Sequence, residues 1–362
     1  MSLKGVRARA DISDVFKKRS SSQAAVVGLD LDPGHIAAAE VTVNGSLSLK
    51  RGAVAPLRPG VLRDGEVADV PALADALKTL FGEHDLSTRV RLGIANQRIV
   101  VRTLDLPPLA DEKALAAAVK IQAPDHIPMP MDEAVMDWQS LGTVATGSGQ
   151  ERSRVVVVAV RREMVDKLVA ATREAGLTLA GIDLSAFGMV RALRDGNPHG
   201  AVLYVSAAGL TNVAVANGSG CLFTRAAAGG LDAIVHALSE RRGLTLEHAH
   251  QWLQHVGLQV AVEDVEGDPD LVATTRATLE EGVHQLADTV RNSLNFYRMQ
   301  ESAEHVDSGV LTGPAVAIPG FVEAVSKQLR LPLTPAVVST DGADADLGRL
   351  TVAAGLAVED AA

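Results

Sequence analysis

One order of elements occurs twice in this chain, and it restricts the fold more than any single motif does. In the first half, Val26-Val27-Gly28-Leu29-Asp30-Leu31 is a short apolar run of strand character, followed by turn chemistry at Asp32-Pro33-Gly34. Residues 35–41 read as a second strand, Asn44-Gly45 as a hairpin turn and residues 47–54 as a third strand. A helix is predicted over 70–81, where Leu73, Leu77 and Leu80 share one face, and a fourth strand over 90–94. The second half repeats this order. Residues 201–205 are apolar, 206–210 form a small-residue turn, and 211–216 read as a strand. A turn at Asn217-Gly218-Ser219-Gly220, a strand over 221–227 and helical sequence after Gly229-Gly230 complete the copy. Two long, separated copies of strand–turn–strand–turn–strand–helix predict an α/β chain of two related lobes, not a solenoid.

Each copy carries an insertion. Residues 99–179 interrupt the first and read strand, helix, strand, strand, helix, with a Gly/Ser/Thr loop at 143–150. Residues 231–304 interrupt the second and are mostly helical; Leu279, Val283, Leu286, Val290, Leu294 and Tyr297 recur at spacings of three and four, a buried stripe. The expected organisation is a flexible, weakly amphipathic arm over 1–23 and a first lobe from 24–98 and 180–198. An inserted subdomain occupies 99–179, a second lobe 199–230 and 305–349, a helical subdomain 231–304, and a C-terminal helix and tail 350–362.

Composition removes several function classes. The longest branched-aliphatic stretch, Val155 to Val158 extended by Ala159 and Val160, is bounded by Arg154 and Arg161. It is far short of the roughly 20 residues a bilayer requires. No apolar run follows Met1, so a secretory signal is not expected. The single cysteine, Cys221, excludes an internal disulfide and a thiolate zinc cluster, and a reducing, cytoplasmic location is the expectation. A net charge of −10 with 3% aromatics argues against nucleic acid as a ligand.

Enzyme signatures are missing. There is no Gly-x-x-x-x-Gly-Lys-Ser/Thr loop, no Gly-x-Gly-x-x-Gly and no Gly-x-Ser-x-Gly elbow. His248 and His250, with His255 nearby, stand two apart on a predicted helix and face different ways, so a solvated face is preferred to a metal site. Cys221 reads as an inert strand thiol, and Asp105, Asp125 and Asp183 as structural. No two carboxylates have the spacing of a general acid/base pair, so no catalytic residue and no metal ligand is assigned.

Three fingerprints carry a family resemblance. The first is Arg102-Thr103-Leu104-Asp105-Leu106-Pro107-Pro108-Leu109, continuing through Asp111-Glu112, Ala118-Val119 and Ile127-Pro128-Met129-Pro130-Met131-Asp132-Glu133-Ala134-Val135 to Asp137-Trp138-Gln139-Ser140-Leu141-Gly142. The second is Val290-Arg291-Asn292-Ser293-Leu294-Asn295-Phe296-Tyr297-Arg298. The third is Ala175-Gly176-Leu177 with Gly181-Ile182-Asp183. Over residues 24–358 the chain resembles the actin-like superfamily and, within it, the PilM family of type IV pilus machines. Read without that resemblance, Leu-Pro-Pro-Leu ends a strand, Asp111-Glu112 starts a helix, and 127–130 is an extended apolar segment that fills a core or walls a groove.

The resemblance implies a two-lobed actin-like fold, duplicated ribonuclease-H-like halves with a PilM/FtsA-type insertion. It implies a scaffold beneath the inner membrane that grips the extended cytoplasmic N-terminal tail of a PilN-like membrane protein and links it to the pilus motor ATPase. The groove would be formed by Arg102, Leu104, Leu106, Ile127, Met129 and Met131; Met129→Asp or Leu104→Asp would then cost about 2 kcal/mol or more of binding. The superfamily pocket would fall at Asp30, Leu31, Asp32, Gly34, Ala208, Gly209, Thr211, Gly229, Gly230, Gly313 and Pro314. Several positions depart from the family pattern. Asp32 stands at a glycine position, Pro33-Gly34-His35 and Ala37 replace hydroxyl residues and a lysine, and Tyr204-Val205-Ser206-Ala207 lacks the second acid. Leu253 replaces a lysine, and Leu311-Thr312-Gly313-Pro314 keeps one glycine of a run. A carboxylate facing a phosphate at about 4 Å is repelled by roughly 1–4 kcal/mol. A vestigial site is therefore expected, with ATP and magnesium bound weakly or not at all and little or no hydrolysis. The rival expectation is an active ATP-binding superfamily protein, an FtsA-like filament or a kinase.

Overall fold

The computed structural model describes residues 26–109, 111–145, 150–194, 200–300, 303–340 and 346–358. The predicted arm over 1–23 lies outside them. In chain order, β1 (Val27–Asp32), β2 (His35–Val43) and β3 (Leu47–Pro56) form a meander, followed by the small hairpin β4 (Leu62–Arg63) and β5 (Glu66–Val67). Helix α1 (Val70–Glu83) then crosses over to β6 (Arg89–Ile94), which lies parallel to β1. α1 starts where the Asp69 carboxylate accepts from the Ala72 N–H at 2.9 Å, and it buries Leu73, Leu77 and Leu80 as the spacing predicts.

The insertion supplies β7 (Val100–Leu106), α2 (Glu112–His126), β8 (Ala134–Ala145), β9 (Glu151–Arg161) and α3 (Arg162–Glu174). Its sheet runs β7-β9-β8, with β9 in the middle. Alternation along β9 divides the apolar run between two cores. Val155, Val157 and Ala159 pack under α2 with Leu104, Leu106 and Ile127, whereas Val156, Val158 and Val160 face the lobes. α3 departs from the expected boundary. Met164, Val165, Leu168 and Ala171 join the first lobe's core with α1, because the stripe at three and four spacing finds its partner there.

β10 (Thr178–Leu184) closes the first sheet beside β6, and α4 (Ser185–Leu193) follows. The second lobe opens with the meander β11 (Ala201–Ala207), β12 (Leu210–Asn217) and β13 (Gly220–Ala228). The helices α5 (Leu231–Arg242), α6 (Leu246–Val256) and α7 (Pro269–Arg298) lead to β14 (Val306–Thr312), parallel to β11. α8 (Phe321–Leu329), β15 (Leu333–Pro335), β16 (Ser339–Thr340) and α9 (Leu347–Leu356) end the described chain. The 30 residues of α7 bury the predicted stripe from Leu279 to Tyr297 in the second lobe's core.

The sheet orders, β10-β6-β1-β2-β3-β16 and β13-β12-β11-β14-β15, contain the same five-strand pattern twice. The duplication read from the sequence is thus a duplication of topology. The far C-terminal region departs from the expected division: β16 pairs with β3, so the chain returns to the first lobe before α9. α9 lies across β1, β2 and β3 and against α4, and a boundary at 349/350 would cut through it. The approach is very close, since a Cβ on Gly28 would stand 1.8 Å from the Ala353 carbonyl oxygen and one on Gly355 1.8 Å from that of Gly188.

Candidate functional site

Period-two alternation in β1 sends Leu29 and Leu31 into the first lobe's core and Asp30 and Asp32 to the opposite face, toward the gap between the lobes. Asp30 Oδ1 accepts from the Ser185 hydroxyl at 2.7 Å, at the start of α4. Burial pushes its pKa up to about 6, in spite of that bond. Asp32 reaches across the gap. Its Oδ2 accepts from the Gly209 N–H at 2.7 Å and its Oδ1 from the Leu210 N–H at 2.9 Å, in the turn joining β11 to β12. Burial, and next the charge of Asp30, raise Asp32 to about 7, against the Gly209 bond.

A second cross-lobe pair lies beside the first. Asp232, in the first turn of α5, accepts from Arg349 Nη2 of α9 at 2.6 Å and stands 3.4 Å from His35 Nδ1 of β2. Burial opposes the Asp232 charge, but the neighbouring His35 ring and the charge and hydrogen bond of Arg349 outweigh it and hold the carboxyl well below the usual range. The glycines allow this closeness. A Cβ on Gly34 would meet Asp232 Oδ2 at 2.8 Å, one on Gly209 would meet Asp32 Oδ1 at 2.2 Å, and one on Gly230 would meet the Ala208 carbonyl oxygen at 2.3 Å. Gly229 has φ +87° and Gly313 φ +97°, where a side chain is strained. The Thr211 hydroxyl donates to the Gly229 carbonyl. The remaining cavity, among Asp30, Asp32, Ser206, Asn212 and Arg349, is about 10 Å³, room for roughly one water molecule.

A larger opening of about 110 Å³ lies at the seam where the inserted subdomain meets both lobes. Gln139 of β8 forms one side, Phe187, Val190, Arg191 and Arg194 of α4 a second, and the β12–β13 hairpin from Gly218 to Cys221 the third. Arg191 is held by Asp183 and by the Gly355 carbonyl. Among the described residues, β8 is an edge strand, bonded within its sheet to β9 alone.

The sequence profile of the family described as type IV pilus assembly protein PilM matches residues 28–341. The chain belongs to the PilM family. Among solved structures, that of a PilM–PilN type IV pilus biogenesis complex superposes with a TM-score of 0.74 at 24% identity, covering 93% of this chain and 98% of the other. MreB5 of Spiroplasma citri bound to ADP matches with a TM-score of 0.53 at 12% identity over 91% of this chain and 94% of the other. The ethanolamine utilization protein EutJ of Carboxydothermus hydrogenoformans matches with 0.51 at 14% over 93% and 90%. These neighbours and the paired sheets make the fold two-lobed and actin-like.

For this PilM-family chain, the residues expected around a nucleotide converge on the gap between the lobes, with one exception: Leu31 is buried in the first lobe's core. The fold family implies ATP with magnesium there, and the residues present do not fit that group in this arrangement. The turn amides of Gly209 and Leu210 are already bonded to a carboxylate, and two acids crowd a cavity of about 10 Å³. Among the described residues, no three His, Cys, Asp or Glu side chains are grouped to hold a metal ion. Asp232, Arg349 and Ser185 were not picked out from the sequence, and His35 was noted only as a departure from the family pattern; Asp232 left a trace as an acid just after Gly229-Gly230 at a helix start. His250 also turns toward this region, with its Nε2 buried, whereas His248 is exposed.

The expected peptide groove is different. Leu104, Leu106 and Ile127 are buried in the inserted subdomain's own core, so their side chains are not available to a partner. Met129 and Met131 pack on the margin of that core, and Arg102 bonds to the Val101 carbonyl at 2.9 Å. Sequence alone could not separate filling a core from walling a groove, because both need apolar residues on a strand. No helix among the described residues is long and apolar enough to cross a membrane.

Proposed function

We propose that this chain is a non-catalytic scaffold of a type IV pilus assembly machine, which binds the cytoplasmic N-terminal tail of a PilN-like membrane protein. Family membership over residues 28–341 carries the reading. The tail holds the protein at the inner face of the membrane and couples the membrane protein to the pilus motor. A tethered tail requires only modest intrinsic affinity, because the membrane raises its local concentration.

The seam beside β8 is the seat we assign to the tail. Two features support it: an edge strand can add an extended chain through backbone hydrogen bonds, and the adjoining opening can take an apolar anchor side chain between Phe187 and Val190. The gap between the lobes supports the other half of the reading, weak or absent ATP binding and no turnover, since its amides and its space are already taken by the chain.

Calorimetric titration with a PilN-type N-terminal peptide tests the seat. Gln139 is exposed, so Gln139→Trp fills the seam without disturbing the core. The expected result is peptide binding by the wild type and at least a tenfold loss, about 1.4 kcal/mol, in the variant at unchanged thermal stability. Undiminished affinity in the variant would remove the tail from the seam. A phosphate-release assay with ATP and magnesium accompanies it, with no release above background expected.

A further inference from the structure

Across the gap between the lobes, the turn joining β11 to β12 faces the end of β1. Here the turn of the second lobe is engaged from within. Asp32, the last residue of β1, extends from the first lobe, and its two oxygens take the consecutive N–H groups of Gly209 and Leu210. Two adjacent backbone N–H groups directed at one anion are the way a turn receives a phosphate. The carboxylate has the same geometry with fewer oxygens and a lower charge. We propose that Asp32 is an intramolecular substitute for a phosphate ligand, a latch that keeps the two lobes closed with no nucleotide between them.

Three observations agree with this role. Gly209 has no Cβ, and one built there would lie 2.2 Å from Asp32 Oδ1, so the residue facing the carboxylate is the one that lets it approach. The Asp232–Arg349 pair joins α5 of the second lobe to α9 of the first beside the latch, with His35 on the far side of Asp232. The Asp232 N–H also donates to the Ala208 carbonyl at 3.2 Å, which fixes the same turn whose amides receive Asp32. Closure has a consequence for the partner site, because the β12–β13 hairpin that bounds the seam belongs to the lobe held by the latch. The lobe orientation in which the seam exists is then a built-in property of the chain.

The inference rests on the reading that no nucleotide turns over in this gap, and its test separates the two. Hydrogen exchange on the full chain follows the segment spanning residues 207–211, with β6 as an internal reference. Asp32→Gly removes the latch from the first lobe, and Gly209→Ala displaces it from the second while leaving the charge in place. Both variants are expected to exchange at least tenfold faster in that segment, with β6 unchanged. Asp32→Asn keeps the shape and one acceptor and covers the case in which glycine impairs folding; an intermediate rate is expected. Wild-type exchange in Asp32→Asn and Gly209→Ala together would overturn the latch. Protection of this segment in the wild type by ATP and magnesium would overturn it as well, by showing phosphate in the place assigned to Asp32, whereas ATP turnover with the variant effects intact would sink only the non-catalytic reading.

Discussion

Between the lobes, Asp32 is bonded to the turn amides and Asp232 to Arg349, beside a cavity with room for about one water molecule. At the seam beside β8, Phe187 and Val190 border an opening of about 110 Å³ next to an unpaired strand edge. The first region has charged groups whose partners belong to the chain itself, so bringing in a charged ligand means breaking bonds already made. The second is bounded by Phe187 and Val190 but also by Arg191 and Arg194, next to a strand edge with which an extended segment can pair through backbone hydrogen bonds. On the proposed reading, the partner is taken at the seam and not in the cleft between the lobes.

The largest expected effect comes from breaking the closed region. Arg349→Ala leaves Asp232 ionised and largely buried without its main counter-charge, and a loss of about 3 kcal/mol in chemical denaturation is expected. Adding Asp232→Ala should recover much of that loss, which a double-mutant cycle reads directly. At the seam, Met129→Asp sharpens the comparison when set beside Gln139→Trp. If the tail lies beside β8, Gln139→Trp weakens peptide binding at least tenfold, and Met129→Asp, on the margin of the α2 core, changes affinity by less than about 0.5 kcal/mol.

The smallest effect is a pH dependence. Asp30 and Asp32 are raised to about 6 and about 7, so between roughly pH 4 and pH 7 the folded chain holds protons that the unfolded chain has released. Desolvation therefore lowers stability as the pH rises through that window and both acids ionise, and the bond from the Gly209 N–H to ionised Asp32 offsets part of that cost. Asp232 acts in the opposite sense, and its contribution is lost only at lower pH. The groups facing Asp30 and Asp32 are Ser185, His35, Asp232 and Arg349, and the half-buried His250 interacts with Arg349, Asp232 and His35. Asp30→Asn, which still accepts from Ser185, should flatten the fall in thermal midpoint between about pH 4.5 and pH 7. An unchanged slope would show that Asp30 titrates as in the unfolded chain.

The fold was legible because it is written in local signals. The turns at Pro33-Gly34 and Asn44-Gly45, the leucine spacing in α1 and the long stripe in α7 each repeat a known period or turn type, and two copies of one order define two lobes. Boundaries were less legible where packing partners lie far away in sequence. The face of α3 shows which side is buried but not that α1 covers it, and nothing local in residues 339–340 announces pairing with β3. The same limit applied to the site. Asp30 and the glycines were recognisable at their turns, whereas the bond of Asp32 to residues about 180 positions away depends on tertiary closure. Core and groove wall stayed open for Leu104 and Ile127, because alternation gives β7 two faces without saying which one α2 covers, and the segment after α2 carries no period of its own.

Hydrogen exchange on the full-length chain, alone, with a PilN-type N-terminal peptide, and with ATP and magnesium, tests the contrast between the two regions most directly. The account predicts that the peptide slows exchange in β8 and α4, and that ATP with magnesium slows none in the turns at 207–211 and 229–232. Protection of those turns by ATP, or of α2 and residues 127–131 by the peptide with β8 unaffected, would contradict it.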